Sequence, residues 1–363
     1  MTARNASRFA IGKLPLATLE RLLRLNRLTD RRVIVGPGIG EDAAVIDIGG
    51  SRCLIVKTDP ITFAVDQIGW YAVHINANDI ATKGARPLWF LATLLLPEDA
   101  TTEKLAEDIF KDIIEACASL GVSLIGGHTE ITAGLTRPIV VGQMLGETYK
   151  NQLVRANGAV PGDVIILTKG IAIEGTSVLA REHAADLLGV LDCKMLKTCR
   201  NFMYDPGISV LREALTAIEC GPVHAMHDPT EGGVATALHE LARAAGVGLR
   251  IQAEAIPVFP ETQALCNHYH LDPLGLIASG ALLIVAPEAE AAKIVARLGS
   301  EAIAATVIGA VTARCHGIKM LTADGLRDLP LYEQDELTKI EYAPGYINAS
   351  CSRNSSWKQA RRR

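Results

Sequence analysis

Between residues 36 and 79 the chain sets carboxylates against glycines and strand ends three times over. The groups are Gly36-Pro37-Gly38-Ile39-Gly40-Glu41-Asp42, Lys57-Thr58-Asp59-Pro60 and Asn76-Ala77-Asn78-Asp79. A glycine loop lets backbone N–H groups approach phosphate oxygens, and aspartates supply the hard oxygen ligands that Mg2+ needs when it bridges those phosphates. The pairing points to a Mg2+-nucleotide site, with ATP as the nucleotide.

The 363 residues exceed one ordinary domain, and 49% hydrophobic with 21% charged residues is the balance of a globular protein with large cores. Two domains are expected. A formal charge of -4 and a pI near 6.2 leave no basic footprint for nucleic acid. The eight cysteines include no C-x-x-C pair, and no secretory leader opens the chain, so they read as buried thiols in a reducing compartment. No window approaches the roughly 18 apolar residues of a membrane span, which makes a cytoplasmic protein the expectation.

Residues 15–28 read as an amphipathic helix opened by Pro15. Short strands follow at Val33–Val35, Ala43–Ile48 and Cys53–Lys57, then a helix over about 67–83. From Glu98 to Gly121, apolar residues at three- and four-residue spacing define the clearest helix, with Gly121 as its stop signal. Strands are expected at Ser123–Ile125, ending at Gly126-Gly127-His128-Thr129-Glu130, and at Pro138–Leu145. The turn-rich passage Ala156–Asp163 then places a domain boundary between residues 155 and 156. The second half carries helices near 175–190, 207–219 and 232–246 and strands at Val164–Leu167, 249–252 and 281–286. The tail 346–363 is polar, basic and aperiodic, hence expected to be disordered.

Other motifs weigh less. Gly36-x-Gly38-x-Gly40 lacks the following helix that a dinucleotide fingerprint requires, and Thr176 stands where a P-loop needs its lysine. Gly175–Ser177 is left as either a plain helix cap or an anion-receiving helix start. Two glycines in His227-Asp228-Pro229-Thr230-Glu231-Gly232-Gly233 suggest close approach to a ligand or strand at another helix start. Cys266-Asn267-His268-Tyr269-His270 lacks the spacing of a closed zinc site, and His74 and His239 read as packing or capping residues.

Gly40-Glu41-Asp42-Ala43-Ala44-Val45, Thr58-Asp59, His74 through Asn78-Asp79-Ile80-Ala81, Gly84-Ala85-Arg86-Pro87, Gly126-Gly127-His128-Thr129 and Asp228-Pro229-Thr230-Glu231-Gly232-Gly233 together resemble the aminoimidazole ribonucleotide (AIR) synthase superfamily. The match runs over about residues 30–345. Asp228 to Ala235, Glu240 to Leu249 and the segment before Leu271-Asp272-Pro273-Leu274 look most like HypE and AIR synthase-related proteins.

The resemblance implies an α/β (α+β) fold of two domains. An ATP-binding domain over 1–155 would have a sheet that forms a dimeric barrel with its twin, and an α/β sandwich would cover 156–345. Carried over, Asp42, Asp59 and Asp79 are the metal ligands, Lys57, Asp59 and Asp79 the catalytic set, and Gly38, Gly40, Asp42, Thr58, Asn78, Gly126, Gly127 and Thr129 the nucleotide contacts. Arg86 is a further candidate cation.

The implied chemistry is Mg-ATP-dependent phosphoryl transfer that activates an amide, carboxamide or phosphate oxygen, as in HypE-like carbamoyl dehydration. The implied partners are a second copy of the chain and an acceptor that is a small molecule or is carried by a hydrogenase maturation protein. A kinase like thiamine-monophosphate kinase and a non-catalytic ATP-binding partner protein are the alternatives. Two positions depart from the pattern. His128 stands where many relatives carry aspartate, with Glu130 as the available replacement. Cys351 is followed by Arg361-Arg362-Arg363, where HypE proper ends in the cysteine that carries its carbamoyl-derived group.

Overall fold

The computed structural model describes residue 9 and residues 12–341; the tail 346–363 and Cys351, with the expectations made for them, lie outside these. Through the first half run α1 (Leu16–Leu23), β1 (Val33–Val35), β2 (Ala44–Asp47), β3 (Arg52–Ile61), α2 (Ile68–Thr82), β4 (Arg86–Pro97), α3 (Glu103–Leu120), β5 (Ser123–Thr132) and β6 (Ile139–Tyr149). The strands form one sheet in the order β1-β2-β3-β6-β4-β5. Only β4 and β5 pair in parallel, with α3 as their crossover.

Local chemistry explains most boundaries. Thr102 caps α3 by accepting from Leu105 N–H at 3.2 Å, Gly121 closes it, and Ile109, Ile113, Ala116 and Cys117 form its buried stripe. In β4, Phe90, Ala92, Leu94 and Leu96 are buried at strand period two.

Two strands run further than their sequence suggests. β3 continues past Lys57 to Ile61, because β6 pairs with it over its whole length while β2 lets go after Val56. Pro60 is tolerated because one side of the ladder is open there. β5 continues through both glycines to Thr132, held by β4 alone as the sheet edge, and a Cβ on Gly127 would meet the carbonyl of Ala92.

The second half contains β7 (Asp163–Thr168), α4 (Ile173–Glu182), α5 (Ala184–Leu187), α6 (Cys193–Asn201), α7 (Leu211–Cys220), β8 (Ala225–His227), α8 (Gly233–Ala245), β9 (Gly248–Gln252), α9 (Pro260–Tyr269), β10 (Leu283–Pro287), α10 (Glu288–Ser300), β11 (Ala305–Thr312), β12 (Ile318–Thr322), β13 (Gly325–Asp328) and α11 (Thr338–Glu341). Its sheet order is β13-β12-β9-β11-β7-β10-β8, antiparallel except for β9 with β12. The helix expected over 175–190 is divided at His183, and the Cys266 segment lies on α9 with Cys266 buried.

The apolar interior is continuous between the halves. One cluster joins Ile68, Tyr71 and Ile75 of α2 to Val178 of α4, Leu196 of α6 and Leu265 of α9. α2, buried along nearly all its length, is the element on which both halves close.

Candidate phosphate and cation site

The glycine loop between β1 and β2 lies against α8. Gly40 has φ +74, and a Cβ there would come within 3.1 Å of the Glu240 carbonyl, so the loop's course and its contact both favour glycine. Next to it, the end of α2 presents Lys83, whose Nζ lies 2.8 Å from Glu41 and 4.0 Å from Asp42. Thr82 donates to Asp42 Oδ2 at 3.1 Å. From β3, Lys57 lies between Asp59 at 3.4 Å and Asp79 at 3.2 Å.

The second half contributes the other wall. His227, the last residue of β8, has Nδ1 2.9 Å from Asp42 and Nε2 3.0 Å from Glu240. Asp228 is buried, and neither of its carboxylate oxygens has a hydrogen-bond partner. Donor atoms of Asp42, His227 and Asp228 lie within 4.8 Å of one another, the group among the described residues close enough to share one ion. Over the mouth, Lys13 donates to Thr230 Oγ1 at 3.1 Å and pairs with Glu231 at 3.4 Å and Glu240 at 3.8 Å.

Electrostatics separate these carboxyls into two kinds. Burial pushes Asp79 well above the usual carboxylate range against the pull of Lys57, with Asp228, Asp59 and Asp42 adding to the rise. Burial likewise raises Asp59, and it brings Asp228 to about 7 with help from Asp42. In Asp42 and Glu240 the same burial is overcome by His227, with Lys83 helping the first and Lys13 the second, and both fall below their ordinary values. Burial opposes charge on His227 and Lys57, yet Asp42 and Glu240 hold the imidazole protonated and Asp79 and Asp59 hold the ammonium.

An imidazolium cannot ligate a metal, so His227 orients Asp42, and the carboxylates are the groups here able to hold a cation. Their mutual repulsion and the two orphaned oxygens of Asp228 fit a divalent cation with oxygen preference.

The structure therefore gathers Asp42, Lys57, Asp59 and Asp79, with Gly38 and Gly40 in the adjoining loop. It sends other expected contacts elsewhere. Thr58 Oγ1 donates to the Gly142 carbonyl at 3.0 Å. Asn78 donates to the Ile208 carbonyl at 2.8 Å and accepts from Val210 N–H at 2.9 Å. Gly126, Gly127 and Thr129 lie on β5, separated from β3 by β4 and β6, and within one chain they do not join the cluster. His128 pairs with Glu130 there at 3.1 Å, exposed, and Arg86 is exposed at the start of β4.

Lys13, Lys83, Asp228 and Glu240 are the site residues that pattern reading misses, although the glycines after Asp228 signal close approach. Gly175–Ser177 are not the helix cap: α4 starts at Ile173 with Ala172 as its N-cap, and inside its first turns Gly175 N–H donates to Ile277 O at 3.0 Å and Thr176 Oγ1 to Ala172 O at 2.8 Å.

Two mixed sheets closing on one helix, with carboxylates and lysines converging beside a glycine loop, define a mixed α/β protein. The N-terminal domain of AIR synthase related proteins matches residues 40–148 and the C-terminal domain residues 160–321. The chain belongs to the AIR synthase related family. It is 32% identical over 322 residues to the carbamoyl dehydratase HypE of Rhodobacter capsulatus, covering 84% of this chain and 90% of that protein. With HypE of Rhizobium leguminosarum bv. viciae it shares 31% over 306 residues, 79% of this chain and 81% of the other.

A solved structure of the hydrogenase maturation protein HypE in complex with ATP superimposes with a TM-score of 0.67 at 27% identity, over 82% of this chain and 91% of that one. A thiamine monophosphate kinase structure with AMPPCP and TMP shares the fold, with a TM-score of 0.63 at 20% identity over 84% of this chain and 91% of that one.

Proposed function

We propose that this protein is a Mg2+- and ATP-dependent enzyme that phosphorylates an amide or carboxamide oxygen, in the manner of the carbamoyl dehydratases it resembles. The carrying observation is the convergence of Asp42, Asp59, Asp79 and Asp228 around Lys57, with both Asp228 oxygens unpartnered. These carboxylates would hold Mg2+, which would supply positive charge against the phosphate groups. Lys57 supplies a fixed cation at the same place, while the glycine loop over Gly38 and Gly40 offers backbone N–H groups to phosphate. Lys13 lies over the opening. Most of the catalytic effect would come from positioning and charge, as phosphoryl transfer requires.

Two copies of the chain would pair along β5. That edge leaves one side of its backbone without a strand, and Ile125 and Ile131 are 56% and 57% exposed on it. Hydrogenase maturation proteins are the class of partner that the similarity to HypE suggests for the acceptor.

Thermal unfolding with and without Mg-ATP tests the site. Ligand at about 100 times its dissociation constant stabilises by about 2.7 kcal/mol. The wild type is expected to show this shift only when Mg2+ is present, and Asp42→Asn and Asp59→Asn to lose it. An unshifted wild type overturns the nucleotide site. Product analysis then separates dehydration, which releases ADP and phosphate, from a kinase reaction, which leaves a stable phosphorylated product.

A further inference from the structure

Where the end of β3 meets α4, a narrow cleft open to solvent is lined by Asp59, Ile61, Phe63, Glu174, Glu231 and Ser279. Asp59 belongs to both this cleft and the phosphate site, since it shares Lys57 with Asp79. A group held in the cleft therefore lies next to the place where phosphate would be transferred.

Glu174, in the first turn of α4, is 3% exposed, and its Oε2 has no hydrogen-bond partner. Ser279 is fully buried, and its Oγ is also unpartnered. Two orphaned polar atoms against the apolar wall of Ile61, Phe63 and Ile277 are costly unless a ligand completes them. A carboxylate can accept and a hydroxyl can donate, and a primary amide offers both complements, N–H donors and a carbonyl acceptor.

We propose that Glu174 is the base that takes an N–H proton from the acceptor amide as the amide oxygen is phosphorylated. This rests on the function proposed above. In that step the amide oxygen forms a bond to the γ-phosphorus, and the bond from γ-phosphorus to the bridging oxygen breaks, releasing ADP. The N–H electron pair closes a C=N bond, and the proton passes to Glu174 Oε2.

The surroundings suit the role. Burial raises the Glu174 carboxyl to about 8, and the nearby charges of Glu231 and Asp335 add to the rise. The Tyr71 phenol also faces it, itself raised by burial and by Glu174. A base of this strength is matched to proton abstraction near neutral pH.

The test follows ADP release from Mg-ATP with S-carbamoyl-N-acetylcysteine as acceptor, in wild type, Glu174→Gln and Glu174→Asp between pH 6 and 10. Unfolding shifts with Mg-ATP are read in parallel. The wild-type rate is expected to climb about tenfold per pH unit and level off above about pH 8. Glu174→Gln should keep the Mg-ATP shift, lose about 100-fold or more of the acceptor-dependent rate, and lose the pH limb. Glu174→Asp should recover part of the rate with a displaced limb, and it carries the test alone if the glutamine variant does not fold. A glutamine variant within a few-fold of wild type with the same limb overturns Glu174 and leaves the function standing. A wild type inert to this acceptor overturns the proposed acceptor class, and the base assignment with it.

Discussion

Lys83 shows what a single buried charge does here. Its side chain is 1% exposed and faces Glu41 and Asp42. Removing one partner of a buried pair leaves the other charge uncompensated, at about 3–5 kcal/mol. Lys83→Met should lower the unfolding free energy by an amount near the low end of that range, since Glu41 keeps some contact with water, read as a lower urea midpoint with an unchanged denaturant slope. Titration gives a second prediction at this scale. Glu174, Asp228 and Asp335 are raised by burial to about 8, 7 and 7, from ordinary values of 4.5, 3.8 and 3.8. The folded state keeps these protons after the unfolded chain has lost them, so stability falls as pH rises from about 4 through 8. Asp42 and Glu240 are lowered, and their contribution is lost on acidification below their ordinary range. Without Mg2+, the unfolding temperature should therefore decline between about pH 5 and 8, and Mg2+ bound to Asp228 should reduce the decline. Asp42, Lys57, Asp59 and Asp79 were legible because each stands in a local motif. The Glu240–His227–Asp42 chain was not, because its members come from three separate segments and only the fold makes them neighbours.

At the scale of elements, legibility followed periodicity. α3 and α8 have amphipathic stripes and glycine stops; α8 lies where the sequence places it, and α3 ends at Gly121 as read but begins at Glu103 rather than Glu98, because Thr102 supplies the cap. β4 escaped because Leu94-Leu95-Leu96-Pro97 reads as a continuous apolar run that hides the alternation of its buried face. β5 seemed to end at Gly126-Gly127, yet pairing with β4 carries it seven residues beyond Ile125, to Thr132. α9 begins with Pro260 at its first turn but ends in the polar Asn267-His268-Tyr269, too weak a stripe to announce a helix. The extended β5 matters for assembly, because it presents Ile125 and Ile131 on an unpaired edge. A charge placed on such an edge opposes strand pairing between copies. Ile131→Lys is expected to shift the protein from dimer to monomer in sedimentation velocity. A wild type that sediments as a monomer at the same concentration removes β5 as the dimer edge.

For the whole molecule, the question is what makes two sheets act as one body, and α2 supplies the answer. Its side chains belong to the apolar cluster that also takes in α4, α6 and α9. Asn78 adds a polar clasp: both ends of its amide are bound to the backbone at Ile208 and Val210, two fully buried residues ahead of α7. Family resemblance instead puts Asn78 at the phosphate loop, and the two roles predict different phenotypes. As a clasp, Asn78→Ala leaves a buried carbonyl and a buried N–H without partners, each costing about 1–3 kcal/mol. Stability should then fall by about 2–6 kcal/mol while the Mg-ATP dissociation constant changes little at temperatures where the variant is folded. As a phosphate contact, the same substitution would weaken ATP binding and leave the denaturation midpoint of the free protein nearly in place. Calorimetric titration of ATP together with urea unfolding of the same variant separates the two. The geometry favours the clasp, because an amide with both ends already hydrogen-bonded across the two halves has little left to offer a phosphate.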